Sequence, residues 1–312
     1  MQYSGVSFET SYVLVICLNP VLQNTHLLPR LVPGQVNRAA ETLRDIAGKG
    51  INTTRIIQQL GGSAVNLTQL GGHNLGEFLD LVASDALEVE WVDSHVPVRY
   101  CHTLIEEESG TVTEIVEEGS PIAPAVEAAV REAYDRLVAK AHTVVIAGSK
   151  APGFSDTVFP DMVEAAHRAG AKVIIDYRGE DLLASLDRGV DVVKINVSEF
   201  AQTFMSEPLP ENIDPSSIPP ELFSRLEELE RAHNFQVVLT NGAKPVFVTK
   251  NGTVETLDPE AVEAKNTIGC GDAVSAGIAV GLHRGLELSG AVALGLDAAK
   301  RNALQIRPGR LS

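Results

Sequence analysis

Between residues 141 and 200 the chain repeats one pattern: a short β-branched, apolar run followed by a stretch with helical spacing. The runs are HTVVIAGS (142–149), AKVIIDY (171–177) and VDVVKIN (190–196), with helices expected at 156–169 and after each of the last two. Runs that are apolar on both sides of the pleat must lie inside a sheet covered on both faces. Strands separated by helices pair in parallel through right-handed crossovers. The expected fold is therefore a doubly wound α/β domain, whose ligands bind in loops at the carboxyl ends of the strands.

The rest of the chain fits around that unit. YVLVICL (12–18) reads as a further buried strand leading into a loop, LNPVLQN (18–24). A helix is expected over 49–60, stopped by Gly61-Gly62, then a strand in AVNLTQLGG and a helix over 75–86. Residues 88–118 change to alternating polar and β-branched residues with a turn at Ser109-Gly110, the pattern of an exposed antiparallel ribbon. Residues 206–220 form a connector, QVVLT, KPVFVT and TVETL are short strands, and a helical pair closes the chain. One domain over 1–312 is expected, with a small β lid from about 24–46 and 88–118. The loops expected to converge are 19–23, 48–52, 148–153, 176–179, 196–199, 240–242 and 269–272.

Composition excludes several partners. A formal charge of −16 and no Lys/Arg cluster argue against nucleic acid. Three cysteines (Cys17, Cys101, Cys270) without CxxC spacing indicate neither a disulfide framework nor a zinc site, and suit a reducing cytoplasm. The N-terminal MQYSGVSFET lacks the basic region of a secretory leader, and no apolar run approaches the roughly 18 residues a membrane span needs.

The densest chemical signal is KNTIGCGDAVSAGIAVGLHRG (265–285). Glycines on either side of Cys270 free the backbone just before a helix of small residues, and a helix start offers unpaired N–H groups to an anion. Asp272 sits beside that anion, and at a helix start its carboxyl is expected to keep a low pKa. The dinucleotide fingerprint GxGxxG and the phosphate loop GxxxxGK[ST] are both missing.

Seven pieces in a fixed order, LNP (18–20), PGQVNR (33–38), AGKGIN (47–52), AGSKAPG (147–153), KINVSE (194–199), TIGCGD (267–272) and RNALQIRPG (301–309), resemble the phosphofructokinase-B, or ribokinase-like, carbohydrate kinases. Within them the chain is similar to the branch of 1-phosphofructokinase and tagatose-6-phosphate kinase. The resemblance implies a three-layer αβα fold with a mostly parallel sheet and a β lid. It also implies ATP-dependent, Mg2+-assisted phosphorylation of a sugar hydroxyl, with fructose 1-phosphate or tagatose 6-phosphate as the most concrete acceptors. A catalytically weak sugar-phosphate-binding protein, or a kinase of an unphosphorylated sugar or nucleoside, are the alternatives.

By the same resemblance Asp272 is the base and the amides of Gly269, Cys270 and Gly271 hold the migrating phosphoryl group. Gln23, Gly48, Lys49, Gly50, Asn52, Arg99, Arg38 and Ser149 would face the sugar phosphate. Lys194, Asn196, Thr240, Asn241, Gly242 and Asn302 would face the nucleotide, and Asn196 and Glu199 would hold magnesium through water. Read without the family, NVSE is an ordinary capping box and Cys270 a small apolar filler. The chain departs from the pattern at Gln23 (aspartate in the family), Lys150 and Ala151, Ile195, Pro245 and Cys270. An exposed ribbon edge also leads us to expect a homodimer paired through the lid.

Overall fold

The computed structural model describes residues 11–312; MQYSGVSFET, and the expectation about a leader drawn from it, lie outside that range. The strands are β1 (Tyr12–Cys17), β2 (Val21–Leu28), β3 (Glu41–Ala47), β4 (Ala64–Leu70), β5 (Val89–Asp93), β6 (Arg99–Glu106), β7 (Val112–Val116), β8 (Ala141–Ala147), β9 (Lys172–Asp176), β10 (Val192–Asn196), β11 (Gln236–Asn241), β12 (Lys244–Lys250) and β13 (Thr253–Leu257). The helices are α1 (Lys49–Gln59), α2 (Leu75–Ser84), α3 (Pro124–Val138), α4 (Val158–Arg168), α5 (Glu180–Ser185), α6 (Val197–Phe204), α7 (Pro220–His233), α8 (Cys270–His283) and α9 (Leu288–Ala303).

Nine strands form one sheet in the order β13-β12-β11-β10-β9-β8-β1-β4-β5. From β11 to β5 all neighbours are parallel, and β12 and β13 close the other edge as an antiparallel hairpin. Strand side chains alternate between faces, so one apolar run feeds two cores. Tyr12, Leu14 and Ile16 pack with side chains of α3 to α7, whereas Val13 and Val15 pack with those of α1, α8 and α9. The result is three layers. The small residues of α8 let it approach α9 closely: a Cβ on Gly277 would stand 2.2 Å from the Gly295 Cα.

A second sheet has the order β3-β2-β6-β7. The ribbon expected over 88–118 is therefore divided. Val89–Asp93 pairs in parallel with β4 at the edge of the large sheet, and only β6 and β7 form the antiparallel ribbon around Gly110. The cause is burial: β5 is half-buried along most of its length, as an outermost strand is, and so resembles an exposed ribbon in sequence. The loop expected at 18–24 is likewise shortened, because Val21 packs on Ala47 and Cys101 while Leu22 packs near Leu70 and Phe78. Gln23 thus lies in a strand. No helix among the described residues is long and apolar enough to cross a membrane.

Candidate active site

The ends of β1, β9 and β10 meet the starts of α1 and α8. Gly50 is what lets α1 seat against β1, since a Cβ there would lie 2.6 Å from the Cys17 Cβ and 2.9 Å from the Ile16 carbonyl oxygen. That seat carries Lys49 and Asn52 toward α8. Gly269, the residue before α8, adopts φ 82°, a left-handed conformation that suits glycine and turns the chain into the helix. The Cys270 N–H turns back to the Thr267 carbonyl at 3.2 Å, which leaves the Gly271 and Asp272 N–H groups at the helix mouth. The Lys194 ammonium stands beside them, 2.8 Å from where a Gly271 side chain would begin.

Asp272 is buried at the start of α8, 6% exposed, and its Oδ2 accepts a hydrogen bond from Asn52 Nδ2 at 2.9 Å. Burial raises its pKa to about 6, helped by the nearby negative charge of Asp176 and opposed by Asn52, Lys49 and Lys194. The low value expected from the helix start is therefore corrected. Desolvation of a sealed carboxylate outweighs a helix dipole that acts only over the first turn.

Asp176 is the hub of the site and is fully buried at the end of β9. Its Oδ1 accepts from Lys49 Nζ at 2.8 Å, and its Oδ2 from Lys194 Nζ at 2.9 Å and Ser275 Oγ at 2.8 Å. Burial works to raise its pKa, but the two ammonium groups prevail and hold the carboxyl far below the usual range. Lys49 mirrors this: burial disfavours its charge, and Asp176 with Glu199 more than restores it.

Glu199 Oε1 takes a second bond from Lys49 at 3.3 Å. Asn196 and Glu199 close a capping box at the start of α6, with Asn196 Oδ1 accepting from the Glu199 N–H at 2.7 Å and Glu199 Oε2 from the Asn196 N–H at 3.2 Å. Two lysines, three carboxylates and a helix mouth are thus gathered where an anion and an alcohol could be brought together.

Residues 13–307 match the pfkB family carbohydrate kinases. The chain belongs to that family. As a pfkB family carbohydrate kinase it is a phosphotransferase with an alcohol group as acceptor. The fold agrees with solved structures. Phosphofructokinase-2 from Escherichia coli, in a complex with substrates and products, is 24% identical with a TM-score of 0.85 over 94% of this chain and 93% of that one. The same enzyme in complex with potassium gives 23% identity and a TM-score of 0.82 over 94% and 93%. A Thermotoga maritima protein described as a "Possible 1-phosphofructokinase" is 20% identical with a TM-score of 0.84 over 95% and 93%.

In this kinase two further expected sugar-side residues, Arg99 and Ser149, are linked through Asn19. Arg99 donates to the Asn19 carbonyl at 3.3 Å and the Glu117 carbonyl at 3.0 Å, while Asn19 Nδ2 donates to Ser149 Oγ at 3.0 Å. The Nε of Arg99 is buried and has no hydrogen-bond partner among the described residues. Gln23 is turned elsewhere: its Nε2 donates to Thr103 Oγ1 at 2.6 Å within the small sheet. Arg38 stands exposed in the loop between β2 and β3.

On the nucleotide side, Thr240 Oγ1 donates to the Ile195 carbonyl at 3.4 Å and Asn241 Nδ2 to the Ile213 carbonyl at 2.9 Å. Gly242 begins the tight turn into β12, so Pro245 falls inside a strand. Asn302 is buried behind the α8 mouth rather than beside that hairpin. It donates to the Ile268 carbonyl at 2.8 Å and accepts from the Gly309 N–H at 2.7 Å. Burial pushes the Cys270 thiol up, consistent with a packing role. Asp176, Ser275 and Asn19 were not among the expected site residues. The sequence signal for Asp176 was an acid ending an apolar strand, IIDY, at the carboxyl edge where sites form.

Proposed function

We propose that this kinase transfers the terminal phosphoryl group of ATP to a hydroxyl of a sugar phosphate, fructose 1-phosphate or tagatose 6-phosphate being the leading acceptors. The observation that carries the reading is Asp272: buried, held on one oxygen by Asn52, and set beside the open N–H groups of α8. With a pKa of about 6 it is mostly ionised at neutral pH and still basic enough to take a proton. The sugar oxygen forms its bond to phosphorus as the bond to ADP breaks, and the hydroxyl proton passes to Asp272. The Gly271 and Asp272 amides and Lys194 hold the charge on the migrating group.

Arg99 supports a phosphorylated acceptor, because its half-buried guanidinium is bonded, among the described residues, to neutral carbonyl oxygens and keeps its charge for a phosphate. Lys49 and Ser149 would complete that subsite, and Thr240, Asn241 and Gly242 border the nucleotide. Asn196 and the carboxylate of Glu199 offer the oxygen donors that Mg2+ takes through water. Bound there, the ion would neutralise phosphate charge. The exposed Ile115 and Val116 on edge strand β7 support pairing of two copies through the small sheet, and the reducing cytoplasm remains the compartment that the cysteines suit.

Gln23 favours a second reading. Its amide is already committed to Thr103, so a sugar hydroxyl would have to displace that bond, as in a protein that binds sugar phosphate and turns it over weakly. ADP release with MgATP across a panel of free sugars, nucleosides and sugar phosphates separates the readings. Turnover of a phosphosugar supports the first, thermal stabilisation without turnover the second, and preference for an unphosphorylated acceptor contradicts both.

A further inference from the structure

The helix that presents Asn52 to the acid carries a second buried group behind it. Arg55 lies one turn later on α1 and is 2% exposed. Its Nη1 donates to Asn52 Oδ1 at 3.0 Å, its Nε to Asp85 Oδ2 at 2.9 Å, and its Nη2 to the Ile46 carbonyl at 2.7 Å. A guanidinium can only donate, so the Asn52 atom facing it must be the carbonyl oxygen. The NH2 end of the same amide is thereby turned onto Asp272 Oδ2.

Left alone, an asparagine amide could present either end. Facing a protonated carboxyl, its oxygen would accept the acid proton and stabilise the neutral form; facing a carboxylate, only its NH2 can bond. Arg55 removes the first choice. We propose that Arg55 is a positioning residue for phosphoryl transfer, pinning the Asn52 amide so that Asp272 always meets a donor on one oxygen and keeps the other for the alcohol. The proposal rests on Asp272 being the base.

The arrangement is braced from outside. Asp85 also takes Arg310 Nη2 at 2.6 Å, and Arg310 reaches Asp45 at 3.2 Å. The chain at Gly309 packs directly on the contact, since a Cβ there would stand 2.7 Å from Arg55 Nη1 and 3.0 Å from Asn52 Oδ1. The other charged or titratable groups acting on Asp272 are Asp176 from β9, Lys49 from α1, Lys194 from β10 and Cys270 from α8.

The test is the 13C titration of the Asp272 carboxyl, assigned by the signal lost in Asp272→Asn, with the pH profile of kcat/KM beside it. The titration needs no substrate. It is followed in wild type, Arg55→Met, Asn52→Ala and the double variant. Loss of a charge-assisted donor is expected to raise the midpoint by about one unit or more in each single variant. The double variant is expected to show no further rise, and the acid limb of kcat/KM to move with the midpoint. An unmoved midpoint in Arg55→Met overturns the proposal, as do two shifts that add, because mere loss of a distant positive charge would add. Should Arg55→Met not fold, Arg55→Gln carries the same test: its amide accepts as well as donates and no longer dictates Asn52, so a raised midpoint supports the proposal and an unmoved one overturns it. Persistent turnover in Asp272→Asn would sink the base assignment, whereas an inactive Asp272→Asn with an unmoved Arg55 midpoint sinks only the role of Arg55.

Discussion

Lys194 Nζ donates to Asp176 Oδ2 at 2.9 Å inside the molecule, the acid fully and the amine almost fully sealed from solvent. The other oxygen of the same carboxylate holds Lys49 at 2.8 Å. One buried acid therefore fixes the two cations that flank the proposed transfer.

Replacing Asp176 by Asn leaves both lysines without their main partner. Breaking a buried pair costs about 3–5 kcal/mol, so urea denaturation of Asp176→Asn is expected to show a loss of that order. The acid limb of kcat/KM is expected to move to lower pH, because a negative charge that raises the Asp272 pKa is gone. A limb that stays or moves up contradicts the coupling. In wild type the depressed Asp176 pKa contributes stability that is present above the ordinary value of 3.8 and is lost as pH falls below it toward the folded-state value.

Activity should depend on pH through Asp272 itself. Only the carboxylate accepts the hydroxyl proton, so kcat/KM, which follows the unliganded enzyme, is expected to fall as pH drops through about 6. A rate flat from pH 8 to pH 5, with the protein still folded by circular dichroism, contradicts this.

Arg99→Ala and Lys49→Ala are expected to raise KM for a phosphosugar by about 10-fold or more, the value of a lost charge-assisted hydrogen bond. KM for ATP should change less in Arg99→Ala, whose partners Asn19 and Glu117 lie away from the nucleotide hairpin. An effect on ATP alone contradicts the phosphate subsite.

Gly277→Ala tests the packing behind the site. Its new methyl would meet the Gly295 backbone at 2.2 Å, and backbone cannot swing aside as a flexible side chain does. Overpacking of this kind costs about 1–3 kcal/mol, read as a lower denaturation midpoint. An unchanged midpoint contradicts the close α8–α9 contact.

The sequence revealed most where one residue's neighbours determine its state. Apolar runs such as VVIA and VIID, covered on both faces, could only be parallel strands, and GCGD before a run of small residues could only be a helix start. β5 reads in sequence as part of the exposed ribbon because an outermost strand is half wet and alternates like one. The hub was harder to see. Lys49, Asp176, Lys194 and Asp272 are far apart in the chain and meet only through the sheet, and the raised pKa of Asp272 depends on burial and on that meeting. Gln23 was legible as a departure from the family, but its bond to Thr103 required the register of β2 on β6.

The most direct measurement is ADP release with MgATP and a phosphosugar, compared between the wild type and Asp272→Asn, with ATP binding followed in parallel. Turnover is expected to fall by about 10²- to 10⁴-fold in the variant while ATP binding is retained. Unchanged turnover would mean that the buried carboxylate at the mouth of α8 does not receive the proton.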